Sequence, residues 1–414
     1  MHSKLHSPKF WMHWSNRMNQ QNDQTDAGEL KFEVLKKIRG YLRRMVDAGG
    51  SDLHIKANSV VRARINGEIV PLSGEILSKE DAFIFAKELL QTRFSELVEK
   101  KELDLVYPFD ENTRFRINIF FQMEGVSAVF RLIPVKILSI DELNLPAVVH
   151  TFSEMERGLV LVTGVTGSGK STTLAALIDE INLKRRKHII TIEDPIEFVH
   201  KDRKCIINQR SVGQDTLSFG NALRAALRED PDIILVGEMR DTETIEIALH
   251  AADTGHLVFS TLHTLDAKET VNRIISVFPT GEQNRVRMTL ASVLKGIISQ
   301  RLIPTVEGKR TAALEILIRT PRIEQLIAEN RDIEIPDTIA EGKELYKSQT
   351  FDQGILDLYL AQRISREDAL SYATSPSDLK LRMEGLSTTV DKGKLGLDEG
   401  SKEFREEDYI GLKE

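Results

Sequence analysis

The spacing of apolar residues changes along this chain, and the change separates two regions. In the first region, apolar side chains recur every three or four positions, at Phe32, Leu35, Ile38, Leu42 and Met45. This period is typical of one buried face of a helix, which we expect to stop at Gly49-Gly50. Residues 60–70 then alternate around Asn66-Gly67, which predicts a two-residue hairpin.

The same region continues with a predicted helix over 78–100 and two alternating segments over 114–121 and 127–133. A helix, a hairpin, a second helix and further strands predict a small α+β domain over residues 30–135. Residues 136–150 have mixed polarity and contain Pro146, so we interpret them as a linker.

In the second region, short apolar runs alternate with helical patterns. The predicted strands cover 159–163, 188–192, 233–236 and 257–261. Such an alternation predicts a mainly parallel sheet covered by helices, here over residues 151–385, with a further helical stretch at 365–383. The fold class is therefore α/β, with a smaller α+β domain in front.

Both ends of the chain are polar and poor in apolar periodicity. Residues 1–29 carry both tryptophans, Trp11 and Trp14, and residues 386–414 are dense in charge. We expect disordered extensions at both ends. An uninformative terminus is favoured over a docking segment for residues 1–29.

The composition excludes several classes of protein. No apolar run reaches the length of about 20 residues that a membrane helix needs, and no signal peptide is visible, so we expect a cytoplasmic protein. Cys205 is the only cysteine, which excludes an internal disulfide and a four-cysteine zinc site. The net charge of −7 counts against a nucleic-acid motor.

The most specific motif is a glycine loop. Residues 164–171 read GVTGSGKS, between an apolar run and a helical segment, as a phosphate-binding loop requires. Its backbone N–H groups, Lys170 and the hydroxyl of Ser171 are expected to bind the phosphates of ATP and Mg²⁺; the alternative is a glycine-rich turn that binds nothing. The predicted nucleotide-binding residues are Gly164, Thr166, Gly167, Ser168, Gly169, Lys170, Ser171 and Thr172.

Acidic residues follow two of the predicted strands. Glu193, Asp194 and Glu197 come after one strand, and Glu238 ends another in the manner of a Walker B element. One such carboxylate can polarise the attacking water, and Glu238 can organise the Mg²⁺ shell. The alternatives are a solvated acidic loop and a buried strand that ends in an acid by chance. Shortly after Glu238, Arg240 and Asp241 are predicted to form a weak surface pair.

Two further groups of residues are candidates. Gly255 is predicted to cap a helix, and a strand follows it. His263 comes at the end of that strand, where a γ-phosphate sensor could stand. The alternative is an ordinary core or surface histidine. Arg114, Arg116 and Arg131 form an unpaired basic cluster on a sheet face and are candidate arginine fingers; the alternative is a solvated basic face.

These motifs, in this order, resemble the secretion ATPase superfamily that drives type IV pili and type II secretion, and most of all its PilT/PilU branch of pilus retraction motors. The resemblance rests on four motifs: the phosphate loop, the acidic box at 191–197, the strand that ends at Glu238 and the histidine box at 256–263. Residues 49–55, GSDLHI after the first glycine, match the start of the family's N-terminal domain. The resemblance covers about 32–386.

The resemblance implies a homohexameric ring in which a PAS-like N-terminal domain precedes a RecA-like P-loop ATPase domain. It implies ATP and Mg²⁺ as ligands, Glu197 as the catalytic carboxylate, Glu238 in Mg²⁺ support and His263 beside the phosphate. Arg116 and Arg131 would contact nucleotide. Secondary or sensor positions are Glu193 and Asp194 of the acidic box, His256 of the histidine box, and Arg114 of the N-terminal domain.

It further implies a motor at the cytoplasmic side of the inner membrane, acting on a platform protein of the pilus base, with no nucleic-acid partner. The missing tetracysteine element favours retraction over pilus assembly. A family segment of the C-terminal region is degenerate here, at 322–331. An accessory ATPase that assists a paralogous retraction motor is therefore an alternative; a type II secretion assembly ATPase and a DNA-translocating motor are weaker ones.

Overall fold

The computed structural model describes residues 32–110, 113–133 and 136–385. The segments predicted to be disordered, 1–29 and 386–414, lie outside the described residues. The chain divides into two compact units, one ending at Val135 and the other beginning at Lys136.

The first unit is an antiparallel sheet with helices. Its elements are α1 (Glu33–Asp47), β1 (Asp52–Lys56), β2 (Ser59–Ile65), β3 (Glu68–Leu77), α2 (Lys79–Leu90), α3 (Phe94–Lys100), β4 (Glu102–Pro108), β5 (Arg114–Gln122) and β6 (Gly125–Ile133). The six strands are ordered β3-β2-β1-β6-β5-β4, and every neighbouring pair is antiparallel.

Local sequence explains most of these elements. The buried face of α1 carries Ile38, Leu42 and Met45, as the apolar period predicts. The hairpin between β2 and β3 turns at Asn66 and Gly67, whose φ angles of 51° and 88° are those that a two-residue turn requires. Both predictions are confirmed.

The single helix predicted over 78–100 is wrong. Ser78 caps α2 by accepting a hydrogen bond from the N–H of Asp81, but the chain leaves the helix at Gln91, which has a φ of 50°. A 3₁₀ turn follows, and α3 begins at Phe94. The apolar period continues across the break because both helices cover the same core, so periodicity alone does not reveal it.

The second unit contains a mixed sheet covered by helices. Its elements up to the sheet's last strand are α4 (His150–Ser153), β7 (Gly158–Thr163), α5 (Lys170–Lys184), β8 (His188–Glu193), β9 (Ile206–Ser211), α6 (Phe219–Ala226), β10 (Ile233–Val236), α7 (Thr242–Asp253), β11 (Leu257–Leu262), α8 (Ala267–Ser276), α9 (Thr280–Val293), β12 (Leu294–Pro304) and β13 (Arg310–Ile318). Among the described residues, six further α-helices follow the sheet, and a 3₁₀ turn (Asp332–Glu334) lies between the first two. The helices are α10 (Pro321–Ala328), α11 (Ile335–Glu341), α12 (Lys343–Tyr346), α13 (Phe351–Leu360), α14 (Arg366–Tyr372) and α15 (Pro376–Met383).

The seven strands of this sheet are ordered β13-β12-β7-β11-β10-β8-β9. All neighbours are parallel except β12 and β13, which form an antiparallel hairpin. Every residue of β7, β10 and β11 is buried, as expected for central parallel strands covered on both faces. The mainly parallel sheet and its four predicted strands are confirmed.

Three strands of this sheet are absent from the sequence prediction. β9 is an edge strand of mixed polarity, and the hairpin of β12 and β13 is buried on both sides along much of its length. Neither pattern alternates, so the sequence shows no period of two there. The helical stretch predicted at 365–383 is divided into α14 and α15.

The segment predicted as a linker packs on the second unit: Ile140 and Leu145 lie in its core beside Phe152. In the part of the chain that the structure describes, no helix is long and apolar enough to cross a membrane.

Candidate active site

A cleft of about 460 Å³ opens where β7, β8, β10 and β11 end in the second unit. Ligands of open α/β sheets bind at this edge, outside the carboxyl ends of the strands. The cleft brings together the following sequence-predicted residues: Thr166, Gly167, Gly169, Lys170, Ser171, Thr172, Glu193, Asp194, Glu197, Glu238 and His263.

The loop between β7 and α5 has the backbone of a phosphate cradle. Gly164, Gly167 and Gly169 all have positive φ angles, of 139°, 79° and 92°. A Cβ at Gly164 would lie 2.4 Å from the carbonyl oxygen of Gln300, so only glycine fits there. The loop then enters α5 at Lys170, which turns the first N–H groups of that helix toward the cleft.

Lys170 is buried at the floor of the loop. Its Nζ donates to the carbonyl oxygens of Gly164 and Val165, at 2.8 and 3.0 Å. Burial lowers the pKa of Lys170, and the negative charges of Glu197 and Glu238 oppose this shift. The ammonium is therefore held by neutral acceptors that a phosphate can replace.

Glu238 follows β10, and its carboxylate lies close to Arg240 and His263. Its carboxylate lies 2.7 Å from Nε of Arg240 and 3.6 Å from Nε2 of His263. The predicted pair of Arg240 and Asp241 is wrong, because Asp241 caps α7 by accepting from the N–H of Thr244 at 2.8 Å. Glu238 and His263 thus meet through the adjacency of β10 and β11.

The two glutamates of the acidic box have different environments. Glu193 turns into the fold, where Thr191 Oγ1 donates to it at 2.6 Å and Gln209 Nε2 at 3.2 Å. Burial raises the pKa of Glu193. Glu197 is exposed on the cleft, and its backbone N–H donates to Glu193 at 3.4 Å. Glu193 therefore positions the loop, and Glu197 is the acid that faces the ligand space.

Several cleft residues were not predicted from the sequence. They include Phe198, His200, Phe219, Leu302 and Arg310. Proximity to Glu197 is a signal for the first two, whereas no local signal marks the others. Burial lowers the pKa of His200 to about 4, so this imidazole is neutral at pH 7.

Other predicted residues are not brought to the cleft surface. Gly164 and Ser168 are buried on the inner side of the loop, away from the cleft. His256 precedes β11, at the opposite end from His263, and its Nδ1 lies 2.9 Å from the carbonyl oxygen of Ala251.

The candidate arginines lie on the sheet of the first unit. The prediction that they are unpaired is wrong for two of them: Arg131 Nε donates to Asp52 at 2.8 Å, and Arg116 Nε lies 3.8 Å from Asp104. Arg116 and Arg131 face each other across β5 and β6, while Arg114 lies opposite Ile133. Phe115, between Arg114 and Arg116, points into the core as predicted.

No cluster of three or more histidine, cysteine or acidic side chains suited to a metal ion occurs among the described residues. The cleft residues therefore do not fit a metal ion that is held by protein groups alone. They fit Mg²⁺, which binds one or two protein groups together with substrate phosphates and waters. Ser171 and Glu238 offer such groups at the cleft.

A parallel sheet, a glycine loop ahead of a helix and acids at neighbouring strand ends define a P-loop nucleotide-binding enzyme. The family model described as "Type II/IV secretion system protein" matches residues 30–365. The type IV pilus retraction ATPase PilT of Pseudomonas aeruginosa is 46% identical over 331 residues, covering 80% of this chain and 96% of PilT. The type IV pilus ATPase PilU of the same organism is 39% identical over 357 residues, covering 86% and 92%.

Among solved structures, the crystal structure of the pilus retraction motor PilT with bound ADP has a TM-score of 0.78 at 43% identity, covering 83% of this chain and 98% of that one. The chain belongs to the type II/IV secretion ATPase family and, within it, to the pilus retraction ATPases. It is a nucleotide-binding, ATP-hydrolysing enzyme with a ring-forming secretion ATPase fold, as the sequence predicts.

Proposed function

We propose that this protein is the Mg²⁺-dependent ATPase of a homohexameric motor that retracts type IV pili. One observation carries the proposal: a single cleft brings Lys170 and Ser171 of the loop to Glu197, Glu238 and His263 from three other strand ends. Binding, activation of water and a response to the γ-phosphate can thus occur at one place.

In this proposal the loop N–H groups and Lys170 bind the β- and γ-phosphates of ATP. Ser171 and Glu238 would hold Mg²⁺, which would neutralise phosphate charge. Glu197 orients a water molecule and accepts its proton as the water oxygen bonds to the γ-phosphorus and the bond to the β,γ-bridging oxygen breaks. His263, beside Glu238, responds to the loss of the γ-phosphate.

The assembly belongs to the same proposal. Arg116 and Arg131 of the first unit are proposed to complete a site in a neighbouring subunit, where arginine can stabilise transferred phosphate charge. The working domains are 30–135 and 151–385, joined through 136–150. The partner is a platform protein of the pilus base, reached from the cytoplasm at the inner membrane.

The chemistry is tested by ATP turnover of the purified chain. We expect Lys170→Ala and Glu197→Gln to lower kcat by at least about 100-fold, since each removes a group that acts on the reacting phosphate. Glu246→Gln, at an exposed position of α7, is the matched control and is expected to keep wild-type turnover. Full turnover in Glu197→Gln would overturn the assignment of the base.

A second candidate is an accessory ATPase that assists another retraction motor. The 39% identity to PilU and the degenerate segment at 322–331 favour it. In the structure this segment covers all of α10 except its first residue, and Arg331 Nε at the end of the segment donates to Glu334 at 2.6 Å. The motor proposal expects ATP turnover by this chain alone, whereas an accessory subunit would need the paralogous motor for turnover.

A further inference from the structure

Behind the phosphate loop, one buried amide bonds to two sides of the loop–helix junction. Gln300 of β12 is 3% exposed. Its Nε2 donates to the carbonyl oxygen of Ser168 at 2.7 Å, and its Oε1 accepts from Thr173 Oγ1 at 2.8 Å. We propose that Gln300 is a positioning residue of the ATPase site, which aims the loop N–H of Gly169 at the nucleotide phosphates.

The geometry of the peptide bond explains how this works. The carbonyl of Ser168 and the N–H of Gly169 belong to one planar trans peptide, so they point in opposite directions. Gln300 pulls that carbonyl into the fold. The N–H of Gly169 is therefore turned to the other side, and Gly169 lines the cleft.

The Ser168 carbonyl fixes which end of the Gln300 amide faces the loop, and Thr173 binds the other end. The Ser168 carbonyl oxygen can only accept, so it selects the NH₂ group. The amide oxygen then faces Thr173, whose hydroxyl donates to it from the first turn of α5. Because both amide groups are bound, the peptide between Ser168 and Gly169 has one orientation before any nucleotide arrives.

The sheet holds Gln300 itself in place. The preceding residue, Ser299, is paired with Thr163 at the end of β7, and Thr163 Oγ1 donates to Ser299 Oγ at 3.0 Å. The loop packs on Gln300 without spare room, since a Cβ at Gly169 would lie 2.6 Å from its Nε2. β12 thus serves as a rigid support for the loop.

The inference rests on the proposed ATPase site and is tested with Gln300→Met, which keeps the side-chain length and removes both hydrogen bonds. A bond from an N–H to a charged phosphate is worth about 10- to 100-fold in affinity. We expect the affinity for ADP to fall by about that factor, and KM for ATP to rise more than kcat falls. Gln300→Glu, whose ionised carboxylate cannot donate to Ser168, is expected to lose at least as much at pH 8.

The matched control is Gln349→Met. Gln349 is also buried and donates from Nε2 to a backbone carbonyl, that of Leu314 at 2.8 Å, but it does not contact the loop. It is expected to show wild-type ADP affinity. Equal ADP affinity in Gln300→Met and Gln349→Met would overturn the inference.

A second pair of variants decides the matter if Gln300→Met does not fold. Thr173→Val removes the hydroxyl that binds the amide oxygen of Gln300 and is expected to weaken ADP binding, whereas Thr173→Ser keeps a hydroxyl there and is expected to lose much less. Equal affinities in the two variants would overturn the inference. Wild-type protein that neither binds ADP nor hydrolyses ATP would instead refute the proposed function.

Discussion

Two almost fully buried carboxyl groups, one in each unit, have opposite pKa shifts. Asp52 in β1 is 4% exposed and Glu315 in β13 is 7% exposed. Burial disfavours the charged form of both. At Asp52, hydrogen bonds from Ser51 and Arg131 outweigh burial, and the pKa is lowered. At Glu315, burial is opposed chiefly by the N–H of Ala267, and the pKa is raised to about 7.

Because both acids are almost fully buried, the difference between their pKa shifts comes from the donors and charges around them. Asp52 in β1 is the cross-strand neighbour of Arg64 in β2 on one side and of Arg131 in β6 on the other. The negative charge of Asp52 therefore partly neutralises the two arginines beside it. Glu315 has one backbone donor at the start of α8. The buried acid of the first unit is therefore an ion-paired carboxylate, whereas the buried acid of the second unit loses its proton near neutral pH.

The largest effect is expected for Glu315→Gln. Between pH 4.5 and about 7 the folded state holds a proton that the unfolded state has lost, so wild-type stability falls as pH rises through this window. The difference corresponds to about 3 kcal/mol. Glutamine still accepts from Ala267 and carries no charge, so the variant should be more stable than wild type at pH 8 and similar at pH 4.5, by urea unfolding.

Glu307→Gln, at an exposed acid of the same hairpin, is the control and should change stability little at either pH. A Glu315→Gln variant with the same stability difference at pH 4.5 and pH 8 would contradict the raised pKa.

An intermediate effect is expected for Asp52→Asn. The carboxylate contributes stability above its unfolded pKa of 3.8, and this contribution is lost as pH falls through the lowered folded pKa. Loss of charge-assisted bonds from Ser51 and Arg131 should cost about 1–3 kcal/mol at pH 7. The cost should shrink in unfolding experiments near pH 3. Asp104→Asn, in the looser pair with Arg116, is the control and should cost less at pH 7.

The smallest effect is expected for Arg64→Gln. Arg64 Nε lies 3.8 Å from Asp52, which is too far for a hydrogen bond, so losing this pair should cost less than about 1 kcal/mol. Arg131→Gln, which removes the 2.8 Å bond, should cost more. The two variants are compared by denaturant unfolding at low and high salt. Equal costs would show that Asp52 is held by the arginine pair jointly.

The site was predictable where its signal is local. The loop, the helix that follows it and the acids after β8 and β10 can each be recognised from a few consecutive residues. This is because strands, turns and helix caps depend on residues that are close in the sequence. Gln300 is 132 positions from Ser168, and nothing in its own segment marks it. Leu302 and Arg310 reach the cleft only because β12 is placed beside β7.

The arginine cluster shows the same limit from the other side. Alternation correctly put Phe115 in the core and Arg116 on the opposite face. Pairing could not be seen, because Arg131 and Asp52 are 79 positions apart and meet through the register of β1 and β6. Two of the three arginines of the basic cluster, Arg116 and Arg131, are therefore ion-paired in the structure.

The sequence by itself determined the class of this protein: a P-loop ATPase with acids at the strand ends, since the motif spacing encodes local backbone geometry. The tertiary structure decided which groups act together. It turned Glu193 inward and left Glu197 on the cleft, paired Asp52 with Arg131, and set Gln300 behind the loop. These arrangements follow from strand order and register, which depend on contacts between distant parts of the chain.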